Sequence, residues 1–223
     1  MKKILLIVLL AVFMLWGCSG NKSSDDKTEI KGDTSIAYVD KIPAGAKKIL
    51  LKSVIIHMKS STFGMTQNIV IYMDDYGRKQ LAEVSQELLG KKVRQCSLVD
   101  SVYMYSYNPD DKTGKRTMVE AKGPDNINFN AITHDMAKEL NLKKNGTAEL
   151  LGRQCDVYTM EIASAKLKGT YYIWKGIPLK TVSTVAGISI TMEATQIEEN
   201  AVIPPEKFEI PEDINFEDVA AGH

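Results

Sequence analysis

The run Ile188-Ser189-Ile190-Thr191-Met192-Glu193-Ala194-Thr195 sets apolar and polar side chains in strict alternation. Successive side chains of a strand point to opposite faces, so this period of two describes a strand with one face in a core and the other in water. Working outward, Val102 to Tyr107 repeats the alternation, with Tyr103, Tyr105 and Tyr107 on one side. Ile49 to Met58, Ile69 to Met73, Cys155 to Ile162 and Tyr171 to Trp174 are short and rich in β-branched or aromatic residues, and turn formers separate them. Asn108-Pro109-Asp110-Asp111-Lys112-Thr113-Gly114 reads as a hairpin loop. Lys79 to Leu89 fits a helix or a strand, and its place in a meander favours a strand. Ile49 to Met58 is apolar on both faces, which calls for a cover on each side.

One segment has a different period. Phe129, Ile132, Met136 and Leu140 fall at helical spacing, with Thr133 as a cap and Asn145-Gly146 closing the helix. The order is roughly six strands, one helical insertion and roughly five strands, which makes an antiparallel sheet with a helix on one face. The fold class expected is mainly β, of the α+β kind.

Composition narrows the function. The chain has 223 residues, 44% of them hydrophobic, and balances 28 Lys and Arg against 28 Asp and Glu. That balance excludes a nucleic-acid partner, which would require a basic excess. It also excludes a long disordered polyelectrolyte. The length suits one domain or two small ones.

The N-terminus reads as an address. Lys2 and Lys3 precede an unbroken apolar run from Ile4 to Trp16, which is short for a transmembrane helix and suits a secretory signal. The run ends in Leu15-Trp16-Gly17-Cys18, which resembles a bacterial lipobox. That resemblance implies cleavage before Cys18 and acylation of its sulfur and amine, with Ser19 rather than Asp after it favouring the outer membrane. Acyl chains add roughly 0.8 kcal/mol per buried CH₂, enough to hold the protein on a membrane. Residues 1–17 are then the signal and 18–35 a tether with one large aliphatic, Ile30, while 36–223 form the β domain. A coil of the tether's length spans on the order of 20–25 Å. Without Lys2 and Lys3 the remainder carries a net charge of −2.

Three stretches together resemble the Lol-type lipoprotein-carrier superfamily, the LolA-like and LolB-like proteins. They are Ile71-Tyr72-Met73-Asp74-Asp75-Tyr76-Gly77, then Tyr172-Ile173-Trp174-Lys175-Gly176-Ile177-Pro178-Leu179-Lys180, then Asn200-Ala201-Val202-Ile203-Pro204 with Phe208-Glu209-Ile210-Pro211. The resemblance spans about residues 36–215. It implies an incomplete, curved antiparallel β-barrel whose apolar concavity takes acyl chains or apolar peptide, with helices plugging one side. Ile36 to Lys48, which contains Pro43 and Gly45, leaves no room for the family's long N-terminal helix.

Candidates for lining that concavity are Ile71, Met73, Met104, Met160, Tyr172, Trp174, Ile188, Ile190 and Met192, since methionine adapts to varied apolar partners. Phe63, in Ser60-Ser61-Thr62-Phe63-Gly64, reads as a hairpin tip that contacts membrane or client, or else folds back on the sheet. Cys96 and Cys155 both follow Arg-Gln, and Glu-Leu-Leu-Gly precedes each, as Glu87 to Gly90 and Glu149 to Gly152. They are either bridged or two buried free thiols. Their separation in meander order favours the thiols, because a bridge requires Cα atoms within about 7 Å. His57 reads as a core residue, and His57, His134 and His223 have no metal spacing, so neither a metal nor a cofactor is expected. No GxSxG, HExxH or phosphate loop occurs. The resulting expectation is a monomeric, non-enzymatic, membrane-tethered binder of lipid, acyl chains or lipidated protein. A peptide-binding or stress-sensing envelope module is the alternative, and a hydrolase stands further behind.

Overall fold

The computed structural model describes residues 29–88, 90–100, 102–119 and 127–219. The signal, its cleavage site and the lipidation expected at Cys18 lie outside them. In chain order the elements are β1 Tyr38–Val39, β2 Val54–Thr62, β3 Met65–Asp74, β4 Lys79–Leu88, β5 Lys91–Val99, β6 Tyr103–Asn108 and β7 Thr113–Met118. Then come β8 Ile132–Thr133, α1 His134–Glu139, β9 Lys143–Leu150, β10 Arg153–Ile162, β11 Leu167–Trp174, β12 Ile177–Val185, β13 Ile188–Glu199 and β14 Asn215–Val219.

Twelve of these strands form one sheet, ordered β14-β7-β6-β5-β4-β3-β2-β13-β12-β11-β10-β9. Among the described residues β14 and β9 do not pair with each other, so the sheet is open, as an incomplete barrel requires. Six strands precede the helix and five follow it in this sheet before β14, in the expected order. β2 to β7 and β9 to β13 are each a run of hairpins, the antiparallel pair β2–β13 joins them, and β14 adds parallel to β7. The tips are tight turns, with Phe63 at φ 52° followed by Gly64 at φ 74°. The repeated Glu-Leu-Leu-Gly also has a plain meaning. Each copy makes a hairpin turn, with Leu88 opposite Lys91 and Leu150 opposite Arg153.

Among the described residues, three apolar clusters hold the sheet. One gathers Ile49 and Leu51 against Val54, Ile56, Met58, Ile69 and Met73, and reaches Cys155, Val157, Tyr172 and Leu179. The second packs Ile132, Ala137, Leu140 and Leu142 of the helical insertion on Tyr158, Met160, Leu167, Ile173 and Val185. β10 and β11 alternate between these two clusters, Val157 and Tyr172 facing one, Tyr158 and Ile173 the other. In the third, the segment after β13 lays Phe208, Ile214 and Phe216 on Leu81, Cys96, Leu98, Tyr105 and Tyr107.

Some local expectations are corrected. Residues 49–53 are not strand, because their amides bond to turns instead of a ladder: Ile49 N–H to Tyr76 O, Leu50 N–H to Lys175 O. β2 is therefore buried on one face, through Val54, Ile56, Met58 and Ser60, while Ile55 is half-buried. His57 is no core residue. It lies on that second face with its side chain 40% exposed, 3.5 Å from Glu198. The helix is six residues long and does not reach Asn145-Gly146. Thr133 caps it as expected, accepting from Met136 N–H, but it stops at Leu140 with Asn141 at φ 44°. Asn145 and Gly146 belong to β9.

Candidate functional site

The cross-strand register assembles one face of the sheet row by row. One row runs Val54, Met73, Gln80, Val99, Met104 from β2 to β6. The next runs Ile56, Ile71, Ala82, Ser97, Ser106. Neighbouring strands lie about 4.8 Å apart, so five strands give a row about 19 Å long. The same face continues through Met58 opposite Ala194, Ser60 opposite Met192 and Thr62 opposite Ile190. From Ile190 the pairs lead to Ser183, Gly169 and Met160.

The nine proposed lining residues divide on this scaffold. Met73, Met160, Tyr172, Ile188 and Ile190 are buried, while Ile71, Met104, Trp174 and Met192 are half-buried. Met160 lies beneath the helical insertion, and Met73 beneath Ile49 and Leu51. Tyr172 and Trp174 face away from Tyr171 on their strand and pack with Cys155 and Val157. The portion of the face on β4 to β6 is different. Ala82, Val99 and Met104 are half-buried, and none of the three clusters takes them in.

Polar atoms punctuate this portion. Gln67 Nε2 donates to Gln86 Oε1 at 2.8 Å, with both side chains buried. Gln86 Nε2 and Ser97 Oγ are buried with no hydrogen-bond partner among the described residues. A buried donor left unpaired costs about 1–3 kcal/mol, so each is a place where an acceptor would be welcome. Sequence reasoning missed Ala82, Val99 and Ser97. Their strands read as amphipathic either way, and only the turn register shows which residues meet.

Two open grooves flank the sheet. One, of about 440 Å³, is lined by Asn68, Ser85, Gln86, Glu87, Gly90 and Lys92. The other, of about 570 Å³, lies between Thr34, Ile36 and Tyr38 and the stretch Leu142 to Asn145. Both have polar rims, and none of the nine candidates lines either.

The opposite face of β3 and β4 is held to the C-terminal segment by an ion pair. Lys207 Nζ donates to Glu83 at 2.6 Å and lies 4.5 Å over the Tyr72 ring, pinning the C-terminal segment. Burial, reinforced by the Glu83 carboxylate, pushes the Cys96 thiol up to about 11. Burial does the same to Cys155, also to about 11. Thiols so raised stay protonated near neutrality and are poor nucleophiles. Of the two readings of the cysteines, a bridge or two buried thiols, the favoured second one holds. Both cysteines are free and buried, in different clusters. Six strands stand between β5 and β10, about 33 Å along the sheet. Among the described residues no group of three or more His, Cys, Asp or Glu is placed to hold a metal ion.

No known family model matches the chain, and no curated protein matches it. Solved structures do. A conserved protein of Thermus thermophilus aligns over 79% of this chain and 96% of its own, at 8% identity and a TM-score of 0.52. A structure of PNGF-II aligns over 76% of this chain at 12% identity and a TM-score of 0.45, and the match spans only 32% of that protein. A domain of an outer membrane lipoprotein-sorting protein from Vibrio parahaemolyticus aligns over 70% of this chain and 88% of its own, at 10% identity and a TM-score of 0.39. At 8% identity the likeness to the Thermus protein is one of fold, and that fold is the open, mainly β architecture that the resemblance to Lol-type carriers implied.

Proposed function

We propose that the chain is a non-enzymatic lipoprotein of the bacterial envelope, acylated on Cys18 and tethered to the outer membrane, that binds an apolar ligand on the β3–β6 part of its sheet. The ligand is an acyl chain, of a lipid or of a lipidated protein. One observation carries this reading: Ile71 and Ala82 on one row and Val99 and Met104 on the next make a half-buried apolar patch on an open sheet, with the unpaired Ser97 Oγ among them. An ester or amide oxygen at the head of an acyl chain is the acceptor that this hydroxyl lacks. Each ~100 Å² of the patch covered by hydrocarbon contributes roughly 2.5 kcal/mol. No cofactor or covalent step is required. Phe63, 59% exposed at the β2–β3 tip, is the assigned contact for an incoming client.

The test is native mass spectrometry of the purified protein together with titration by a fluorescent fatty acid. Copurified lipid and saturable binding are expected, with Met104→Glu weakening the probe at least tenfold. A protein that carries no lipid and ignores the probe refutes the reading. A second reading, peptide capture on the β9 edge, has its own support. Lys31 already pairs with Thr147 there, N–H to O in both directions at 2.9 and 2.6 Å.

A further inference from the structure

The end of the sheet opposite Phe63 has a composition of its own. The turns β9–β10 and β11–β12 meet there with the start of β2 and the end of β13. Hydrogen bonds weld these pieces together. Leu50 N–H donates to Lys175 O at 2.9 Å, and Ser53 Oγ donates to Ala201 O at 2.7 Å. Glu199 accepts from Arg153 at 3.0 Å and from Lys175 at 3.2 Å, and both cations lie over the Trp174 ring, at 4.9 and 4.4 Å. Three large apolar side chains project from this welded end into water. Leu50 is 56% exposed, Leu151 44% and Val202 95%. Exposed Lys47 and Lys52 flank Leu50.

Rigid turns that expose aliphatics beside cations, with a tryptophan half-buried behind them, suit the boundary between anionic headgroups and acyl chains. The path of the chain points the same way. Lys31 forms an antiparallel bridge with Thr147, so Glu29 and Ile30, ahead of it, run toward the β9–β10 turn that carries Leu151. Ten residues separate Cys18 from Glu29, eleven Cα–Cα steps and a reach of at most about 40 Å.

We propose that this end, through Leu50, Leu151 and Val202, is seated on the membrane that holds the tether, an anionic phospholipid surface. Phe63 then points away from that membrane, about 30 Å along β2. The proposal rests on the tethered reading above and adds an orientation to it.

The test uses the full acylated chain in vesicles of phosphatidylethanolamine and phosphatidylglycerol, with an environment-sensitive fluorophore on Leu151→Cys or Phe63→Cys. Cys96 and Cys155 are buried and do not take the label in the folded protein. The probe at 151 is expected to brighten at least threefold on reconstitution and to be quenched by brominated lipid, while the probe at 63 stays as in water. Leu50→Glu combined with Val202→Glu, both at exposed positions, is expected to halve the gain at 151. A bright probe at 63 with a dark one at 151, or two dark probes on protein that floats with the vesicles, overturns the orientation and leaves acyl-chain binding untouched. A gain at 151 that the double variant does not reduce overturns the role of Leu50 and Val202. Protein that fails to float overturns the tether and this proposal together, and fatty-acid titration still reports on the sheet face.

Discussion

Replacing Gly176 by alanine isolates the contact that holds residues 48–51 against the β11–β12 turn. Gly176 sits at φ 83° in the β11–β12 turn, and a Cβ there would overlap Asn130 Nδ2 and the carbonyl oxygen of Lys48. Lys48 O is backbone, and Asn130 Nδ2 donates to it at 2.8 Å, so relief requires moving both. Left-handed backbone alone costs an alanine about 1 kcal/mol. The lost Asn130 bond adds about 1 kcal/mol. Pushing residues 48–51 outward loosens Ile49 and Leu51, both nearly fully buried, for roughly another 1 kcal/mol. The total is about 3 kcal/mol, or about 6–12 °C in Tm for a domain of this size. Gly152 is the internal control. Its φ is 69° and no atom lies within 4 Å of where a Cβ would stand, so Gly152→Ala carries the backbone cost alone, about 1 kcal/mol. Calorimetry and urea unfolding of both variants make the comparison. Equal losses would refute the contact, because the two turns would then differ in nothing but sequence.

Gly114→Val is expected to unseat β14, because its Cβ would fall 2.6 Å from the Phe216 ring and 2.9 Å from Tyr107 Cβ. Hydrogen exchange at residues 215–219 should quicken at least tenfold while β2 and β13 keep their protection. Iodoacetamide at pH 8 is expected to spare Cys96 and Cys155 in the folded protein and to take both in urea, since burial holds each thiol at about 11. Rapid labelling in the folded state would contradict that burial. Burial pushes Glu199 up, but the bonds from Arg153 and Lys175 outweigh it and hold its carboxyl below the ordinary 4.5. A depressed folded value stabilises above 4.5 and fades as pH falls through it. The Tm gap between the parent and Glu199→Gln should therefore be full at pH 7 and shrink below about pH 4.5. A gap that does not narrow in acid would exclude this carboxylate as its source.

Individual strands are legible because alternation at Ile188 to Thr195 and at Tyr103 to Tyr107 survives in the structure as a more buried and a less buried face. The helix is legible only in part. Phe129 and Ile132 satisfy a helical period from a turn and a two-residue strand, so spacing extends the helix beyond the stretch that Thr133 caps. Ile49 to Leu51 looks like strand because burial, which the composition reports, is independent of whose carbonyl each amide meets. The candidate site suffers most. Met104 stands out by its type, but its neighbours Val99 and Ala82 follow from the register of the β4–β5 and β5–β6 turns, and no local signal encodes that.

The β2–β13 pair has a consequence for how the molecule comes into being. Val54 lies opposite Glu199 and Thr62 opposite Ile190, so the seam joins stretches that synthesis separates by more than half of the chain. Each hairpin on either side closes a short loop and can zip as soon as it emerges, whereas the seam must await the last third of the polypeptide and bear the entropy of the longest closure in the sheet. Two half-sheets form early, each with an unpaired central strand, and their meeting is the slow event. Until β13 arrives, β2 is an open edge, which makes the interval between the emergence of β2 and seam closure the period when the chain is most open to aggregation or to a chaperone.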